Sequence, residues 1–597
     1  MSSSNFASCH PSDTDDSRDM SAMDAKDASH ATATVVHPTE DETKMKSPGI
    51  VRMEALTASM TLVDRIFLYF SIFLVAYAYN LDGIMRIAYQ PFATAAFQSH
   101  SLLSTVNIVR AVIAAVAQTT AAKIADVFGR VELICVSAFF YAIGTVIQAV
   151  STNVATYIVG NAMFQIGYTM IMLLVEVVIA DTSSTRSRLL FIFIPNMPSL
   201  INTWISGNIV EASLKAIGWR WGVGMWSIIY PVCALPIIIS LMVVARRAKD
   251  EGRLTNYRSS FEMLGLKDLI VKAFWLLDVI GILLLIAVFA LILVPLTLAG
   301  GGHSTWGSAH IIAPIVVGVL CIPLLVFWEL KASNPVVPFS LMKDRGIWGP
   351  IGLAVCSNFA WTMQGDYLFT VLIVAFNFSV SMATRVTSLY SFVIVVIGPF
   401  LGILVYKLRR LKIFAVVGSF LYLISMGLLI RYRGSASADS HAGVIAAQVV
   451  MGVAGGLFAF PAQASLQVGL KHEHLAVMTA VYLALYNIGS ALGNAVAGGI
   501  WTQLLPSALE HRLDNVNSTL ARLAYEDPLA TVAHYPMGTP ERDAIVSAYQ
   551  YIQRILTITG ICACVPQIVF SLFIRNPRLT DKQTLVEEEV RDEIEMT

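Results

Sequence analysis

Charge is scarce in this chain. Of its 597 residues only 13% are Asp, Glu, Lys or Arg, 56% are hydrophobic, and the mean hydropathy is +0.67. A soluble chain of this length forms several domains, each with its own charged surface. The 40 basic and 40 acidic residues cancel, so nothing points to nucleic acid or to an acidic partner. The seven cysteines show no Cys-x-x-Cys metal or redox spacing and read as small apolar residues. There is no glycine-rich nucleotide loop, no serine-nucleophile elbow and no metal-binding histidine spacing on an apolar helix. An enzyme is therefore not expected, nor a cofactor. Residues 1–60 are rich in Ser, Asp, His and Thr and contain no apolar run, which argues against a cleavable signal peptide and for a disordered tail.

What the chain does have is apolar runs of roughly twenty residues, the length that crosses a bilayer. The spacing predicts an all-α polytopic membrane protein with about fourteen spans. They fall near 66–88, 103–123, 132–151, 155–180, 189–211, 221–244, 274–298, 310–329, 347–376, 385–406, 412–431, 444–468, 475–500 and 553–574. Alternate connectors are rich in base, among them Lys123, Arg130, Arg186, Arg246, Arg247, Lys343, Arg409 and Arg410, while the opposite set holds Lys215, Arg220, Arg385, Arg431 and Arg433. Both termini are thus expected in the cytoplasm. The expected divisions are a tail 1–62, a six-helix bundle 63–244, a cytoplasmic loop 245–273, two inserted helices with a connector 274–346, a second bundle 347–575 and a tail 576–597.

An ionisable residue within a span is costly and normally faces a bundle interior or a watery cavity. Asp82 and Arg86 lie one helical turn apart in the first span, with Tyr89 close by. Arg110 is one turn into the second span, Glu176 is in the fourth, and Asp366 precedes Tyr367 in the ninth. Arg110 is a candidate to neutralise Asp82 or to attract an anionic group of a substrate. A carboxyl group withdrawn from water holds a proton more readily, so Glu176, Asp82 and Asp366 are the candidate proton carriers. The long connector 501–552, expected outside, holds Tyr535, Tyr549 and Tyr551 as a possible capture surface, with Pro506, Pro528, Pro536 and Pro540 expected to break any long helix there. Asn517-Ser518-Thr519 within it is a glycosylation sequon.

The second span ends in Ala122-Lys123-Ile124-Ala125-Asp126-Val127-Phe128-Gly129-Arg130. This resembles the Gly-x-x-x-Asp-x-x-Gly-Arg cytoplasmic motif of the major facilitator superfamily, with Ala122 in place of the first glycine. Asp126, Gly129 and Arg130 would form a latch that holds in one conformation and releases in another. A degraded copy, Gly402 to Arg410, stands at the matching turn of the second half, and the same offset carries Arg86 onto Asp366.

Asn80-Leu81-Asp82-Gly83 with Arg86, Tyr89-Gln90-Pro91-Phe92-Ala93-Thr94, and Val109-Arg110-Ala111-Val112 running into the latch motif resemble the fungal siderophore–iron transporters, a fourteen-span branch of that superfamily. Gly452-x-x-Gly455-Gly456 with Pro461, and Asn334-Pro335-x-x-Pro338-Phe339, agree, and the resemblance covers about residues 65 to 578. It implies the major facilitator fold, two six-helix bundles plus two inserted helices, and import of ferric hydroxamate-type chelates driven by protons. The implied partners are a ferric siderophore, protons and membrane lipid, with the chain acting as a monomer in the plasma membrane or an endosomal or vacuolar membrane. Haem transport, glutathione–proton exchange, drug efflux and a non-transporting nutrient sensor are the alternatives. A bulky chelate suits a lining of Tyr77, Asn80, Asn107, Phe164, Gln165, Trp204, Trp361, Tyr367, Tyr390, Phe460 and Tyr486, residues placed there by helix position.

Overall fold

A computed structural model describes residues 48–182, 191, 194–254, 260–299, 306–332, 335, 342, 344–468, 472–513 and 518–576. The described chain is helical from end to end. A short helix, α1 (Pro48–Ser59), precedes the first long one, α2 (Leu62–Ala96), which opens on a capping box between Thr61 and Asp64. The first half continues with α3 (Leu103–Phe128), α4 (Arg130–Val150), α5 (Val154–Thr182), α6 (Pro198–Ala216), α7 (Gly218–Gly224) and α8 (Trp226–Asp250). After α9 (Ser260–Leu276) come the inserted pair, α10 (Val279–Leu298) and α11 (Ala309–Lys331). The second half runs through α12 (Arg345–Gly365), α13 (Leu368–Val374), α14 (Val380–Leu408), α15 (Lys412–Arg431), α16 (Ala438–Val468) and α17 (His472–Leu513). It closes with α18 (Ser518–Glu526), α19 (Pro528–His534) and α20 (Pro540–Phe573).

Twelve helices among the described residues are long and apolar enough to cross a membrane. That differs from about fourteen, and the reason is polarity. α6 and α12 occupy the places expected for the fifth and ninth spans, but α6 carries Asn202, Asn208, Glu211 and Lys215, and α12 stops at Gly365 with Asp366 next. The ninth expected span is divided at Asp366–Tyr367 between α12 and α13, whereas α7 and α8 join through a helical Met225 into one span, Gly218–Asp250.

The stretch 501–552 is not the irregular loop its prolines suggest. Pro506 lies inside α17, which runs unbroken to Leu513, and Pro540 starts α20 behind a Thr539 cap, because proline is well tolerated in a first turn. α18 and α19 form a small cap at this end. Its anchor is Arg542, 2% exposed. The guanidinium donates to Val532 O at 2.8 Å and Tyr535 O at 3.5 Å, at the end of α19, and to Ile373 O at 3.2 Å and Val374 O at 3.0 Å, at the end of α13. A cation suits the electron-rich carbonyl ends of two helices. Tyr549 is fully buried, its hydroxyl donating to Ala524 O at 3.1 Å. It braces the cap and cannot serve as capture surface, whereas Tyr551 is exposed and Tyr535 half-buried. Asn517 lies outside the described residues.

Packing follows the membrane rule that small residues let helices approach. α3 and α17 meet along Ala111, Ala115, Ala484, Ala491 and Ala495. Gly498 faces Ser104 and Thr297 so closely that a methyl there would sit 2.6 Å from Ser104 Cβ and 2.7 Å from Thr297 Cγ2. α6 crosses α14 at Gly207, which rests on the backbone of Ser381. α10 lies against both α3 and α17, so the inserted pair flanks one junction between the halves. α11 turns Leu320 and Leu330 outward, as a lipid-facing helix should.

Candidate substrate cavity and gate

The halves enclose a cavity of about 180 Å³. Gln90 and Pro91 of α2, Asn107 and Arg110 of α3, Gln165 of α5, Trp361 and Thr362 of α12, Asp366 at the helix break, and Asn487, Ser490 and Asn494 of α17 line it. The α17 trio is spaced i, i+3, i+7, a polar stripe on one helix face. That spacing was readable from the sequence and was missed. Of the expected lining residues, Asn107, Gln165 and Trp361 do line the cavity; Trp204 lies instead against Phe392 with its ring half in the open.

Above the cavity, at the end of the bundle opposite Pro48 and Asn576, side chains join the halves. The Ser104 hydroxyl and the Asn107 amide both donate to Asp366. Ser104 Oγ lies 2.8 Å from Tyr367 Oη, and the Tyr367 hydroxyl donates to Ser101 O at 3.4 Å. Tyr367 is buried, stacked on Trp501 with centroids 3.8 Å apart. His100 Nε2 is 3.2 Å from Thr370 Oγ1, and Phe92 meets Phe369 edge to face. A second cluster ties α6 to α14, where Asn208 Oδ1 accepts from Ser381 at 3.0 Å and Arg385 at 2.9 Å. Asp366 ends α12 with helical backbone angles, and its two carboxylate oxygens are bonded to α3 across the roof of the cavity.

Asp82 and Arg86 are placed differently. Both are buried, and neither lines the cavity. Arg86 Nε donates to the Asp82 carboxylate at 2.8 Å, its Nη1 to Gln148 and its Nη2 to Thr145, each at 2.8 Å, and its guanidinium lies 3.7 Å from the Phe164 ring centroid. Tyr141 donates to Asp82 as well. The pair is closed on α4 and α5 within the first half, with Arg110 and Asp366 outside it. Tyr89 is also buried, bonded to Ser213 of α6. These three residues therefore stand behind the cavity wall. Glu176 on α5 is exposed, and among the described residues no hydrogen bond or ion pair holds it.

At the end where α1 lies, Gly129 has φ +102° and joins α3 to α4, a conformation side chains disfavour. Arg130 is buried, donating to Asp181 Oδ2 at 3.0 Å and Ala125 O at 2.8 Å. The latch arginine thus reaches α5, a partner the motif itself does not contain, and the Asp126 side chain lies outside the described residues. α1 docks beside it: Arg52 pairs with Glu132 at 2.6 Å, and Met53 and Leu56 are buried.

Two helical bundles, an inserted pair and a polar cavity between the halves define a membrane transporter of the major facilitator fold. Solved structures agree on the fold. A bacterial homologue of the human lysosomal transporter Spinster is 13% identical, with a TM-score of 0.53 over 86% of this chain and 98% of that one. A peptide transporter POT in complex with sulfate is 16% identical, with a TM-score of 0.51 over 86% of this chain and 98% of that one. No family model matches. The curated relatives go further. Siderophore iron transporter 1 of Saccharomyces cerevisiae is 42% identical over 93% of this chain and 88% of its own length. Siderophore iron transporter mirC of Emericella nidulans is 35% identical over 89% of this chain and 87% of its own. The chain belongs to the fungal siderophore iron transporter family.

Proposed function

We propose that this protein imports ferric siderophore chelates, of the hydroxamate type, by proton symport with alternating access. One observation carries the reading: a polar cavity between two helical halves, bridged at the end opposite Pro48 and Asn576 by hydrogen bonds from Ser104 and Asn107 onto a half-buried carboxylate, Asp366. With both termini in the cytoplasm, this is the state closed to the outside. The cavity is smaller than the roughly 300–1,000 Å³ usual for small-molecule sites, so admitting a chelate requires the gate to open and the halves to part. Among the described residues no group of three His, Cys, Asp or Glu converges to hold a metal ion. An arginine, amides and a tryptophan suit iron that arrives already wrapped in organic oxygen ligands.

The residues divide the work. Asp366 is the gate carboxylate, and its protonation loosens the contacts to Ser104 and Asn107, so that a proton entering from outside opens the roof. Glu176 receives the proton on the cytoplasmic side. Tyr367 backs the gate, and Arg110 faces the ligand. Asp126, Gly129 and Arg130 latch the cytoplasmic end in the opposite conformation. The chain works as a monomer, in the plasma membrane.

The test is radio-iron uptake from ferric hydroxamate chelates in a fungal host without siderophore importers of its own, with and without a protonophore. Uptake that a protonophore abolishes is expected. Absence of uptake from every chelate removes the substrate assignment, and uptake indifferent to the protonophore removes the coupling.

A further inference from the structure

Arg86 and Arg110, on neighbouring helices of the first half, are placed very differently. Arg86 spends its donors on Asp82, Gln148 and Thr145. Arg110, one helix away, uses Nε to reach Gln165 Oε1 at 3.1 Å, and among the described residues it makes no ion pair. Gln165 is itself held by its own amide donating to Thr169 at 2.8 Å. Arg110 lines the cavity, and among the described residues its Nη1 and Nη2 make no hydrogen bond. The carboxylate on the opposite wall, Asp366, is occupied by Ser104 and Asn107. The cavity therefore presents one donor-only fork among amides that both donate and accept.

From this we infer that Arg110 reads the metal-loaded state of the chelate, by donating to the deprotonated oxygens of its iron-binding groups. The inference rests on the siderophore reading of the same cavity. Its chemistry is simple. A metal-free hydroxamic acid carries an N–OH proton and offers a donor where iron would sit. Loading a trivalent metal removes those protons, so the N–O oxygens can only accept, as the carbonyl oxygens do in both states. A guanidinium has donors only and cannot accept. It meets the loaded face with charge-assisted hydrogen bonds and meets the empty chelator with opposed donors. Discrimination of this kind keeps the transporter from carrying iron-free ligand.

The experiment uses the full-length protein in lipid nanodiscs and calorimetric titration with two probes, a tris-hydroxamate loaded with gallium(III) and the same chelator without metal. Gallium reproduces the charge and coordination of ferric iron without redox chemistry. Wild-type protein should bind the loaded form about tenfold or more tighter than the empty one. Arg110→Gln should weaken the loaded form by about 10- to 100-fold and should not weaken the empty form. Arg110→Lys, which keeps the charge and loses the fork, should fall between. A thermal melt checks that each variant is folded. Equal weakening of both probes by Arg110→Gln would show a merely structural role and overturn the inference, as would equal affinity of wild-type protein for the two. Binding of neither probe to wild-type protein would instead strike the siderophore reading, and the inference with it.

Discussion

The crossing of α6 and α14 makes a prediction that involves no ligand. Gly207 abuts Ser381 at this contact between the halves. A methyl placed on Gly207 would lie 2.9 Å from Ser381 Oγ and 3.1 Å from its carbonyl carbon, and nearer still to the carbonyl oxygen. Comfortable carbon contacts begin at about 3.5 Å, and the obstruction is backbone, which cannot swing aside. Overpacking of this sort costs about 1–3 kcal/mol. The contact is made across the gate, so the cost of Gly207→Ala falls on the closed state and spares any state in which α6 and α14 separate. Charged to one side of a two-state equilibrium, it shifts the populations by about 5- to 150-fold. The reporter is Phe369→Cys in a background without native cysteines, because Phe369 is 3% exposed beneath the closed gate. Labelling of intact cells by a membrane-impermeant maleimide should quicken at least about fivefold in the Gly207→Ala protein. Gly427→Ala, with nothing within 4 Å of the added carbon, is the control and should leave the rate alone. Unchanged or slower labelling of Gly207→Ala at normal surface abundance would refute the reasoning.

Three further predictions concern single side chains. Asp82→Asn and Arg86→Met each strand a buried charge and should destabilise the protein by about 3–5 kcal/mol, seen as a lower melting temperature in detergent, while the double apolar replacement Asp82→Leu with Arg86→Met recovers most of the loss; single variants that melt like wild type would mean that the pair is not a structural one. Asp366→Asn keeps a polar group at the gate but cannot change charge, so uptake should persist at a reduced rate without its dependence on external pH, and an unaltered pH profile would remove Asp366 as the coupling group. Tyr549→Phe removes one buried hydrogen bond to Ala524, worth about 1 kcal/mol, and should loosen α18 against proteolysis without altering the concentration dependence of uptake.

The helical membrane architecture was legible because a bilayer imposes a long, simple wavelength on the chain, and the helices stand where the apolar runs stand. The break was not legible. The ninth span is interrupted at Asp366–Tyr367, and the partners of Asp366 there, Ser104 and Asn107, lie far away in sequence. Pro506 misled for the opposite reason. A proline in a long helix reads as a stop, yet packing of α17 against α20 and α18 holds the helix through it. The charges divided in an instructive way. Asp82 and Arg86 announced themselves by i, i+4 spacing, and that same spacing is why they satisfy each other in the wall. Arg110 and Asp366 have no mate in sequence, and these two reach the cavity.

Arg542 gives the outer end its mechanics. Because one guanidinium is bonded to the ends of both α13 and α19, the cap and the short half-helix behind the gate are a single lever with a common fulcrum. The cap cannot swing alone like a hinged lid. In the proposed transport cycle, release of Asp366 would let α13 tilt, and the bonds of Arg542 would carry the cap with it. An antibody fragment that clasps the cap would act as a brake on the transport cycle without touching the cavity.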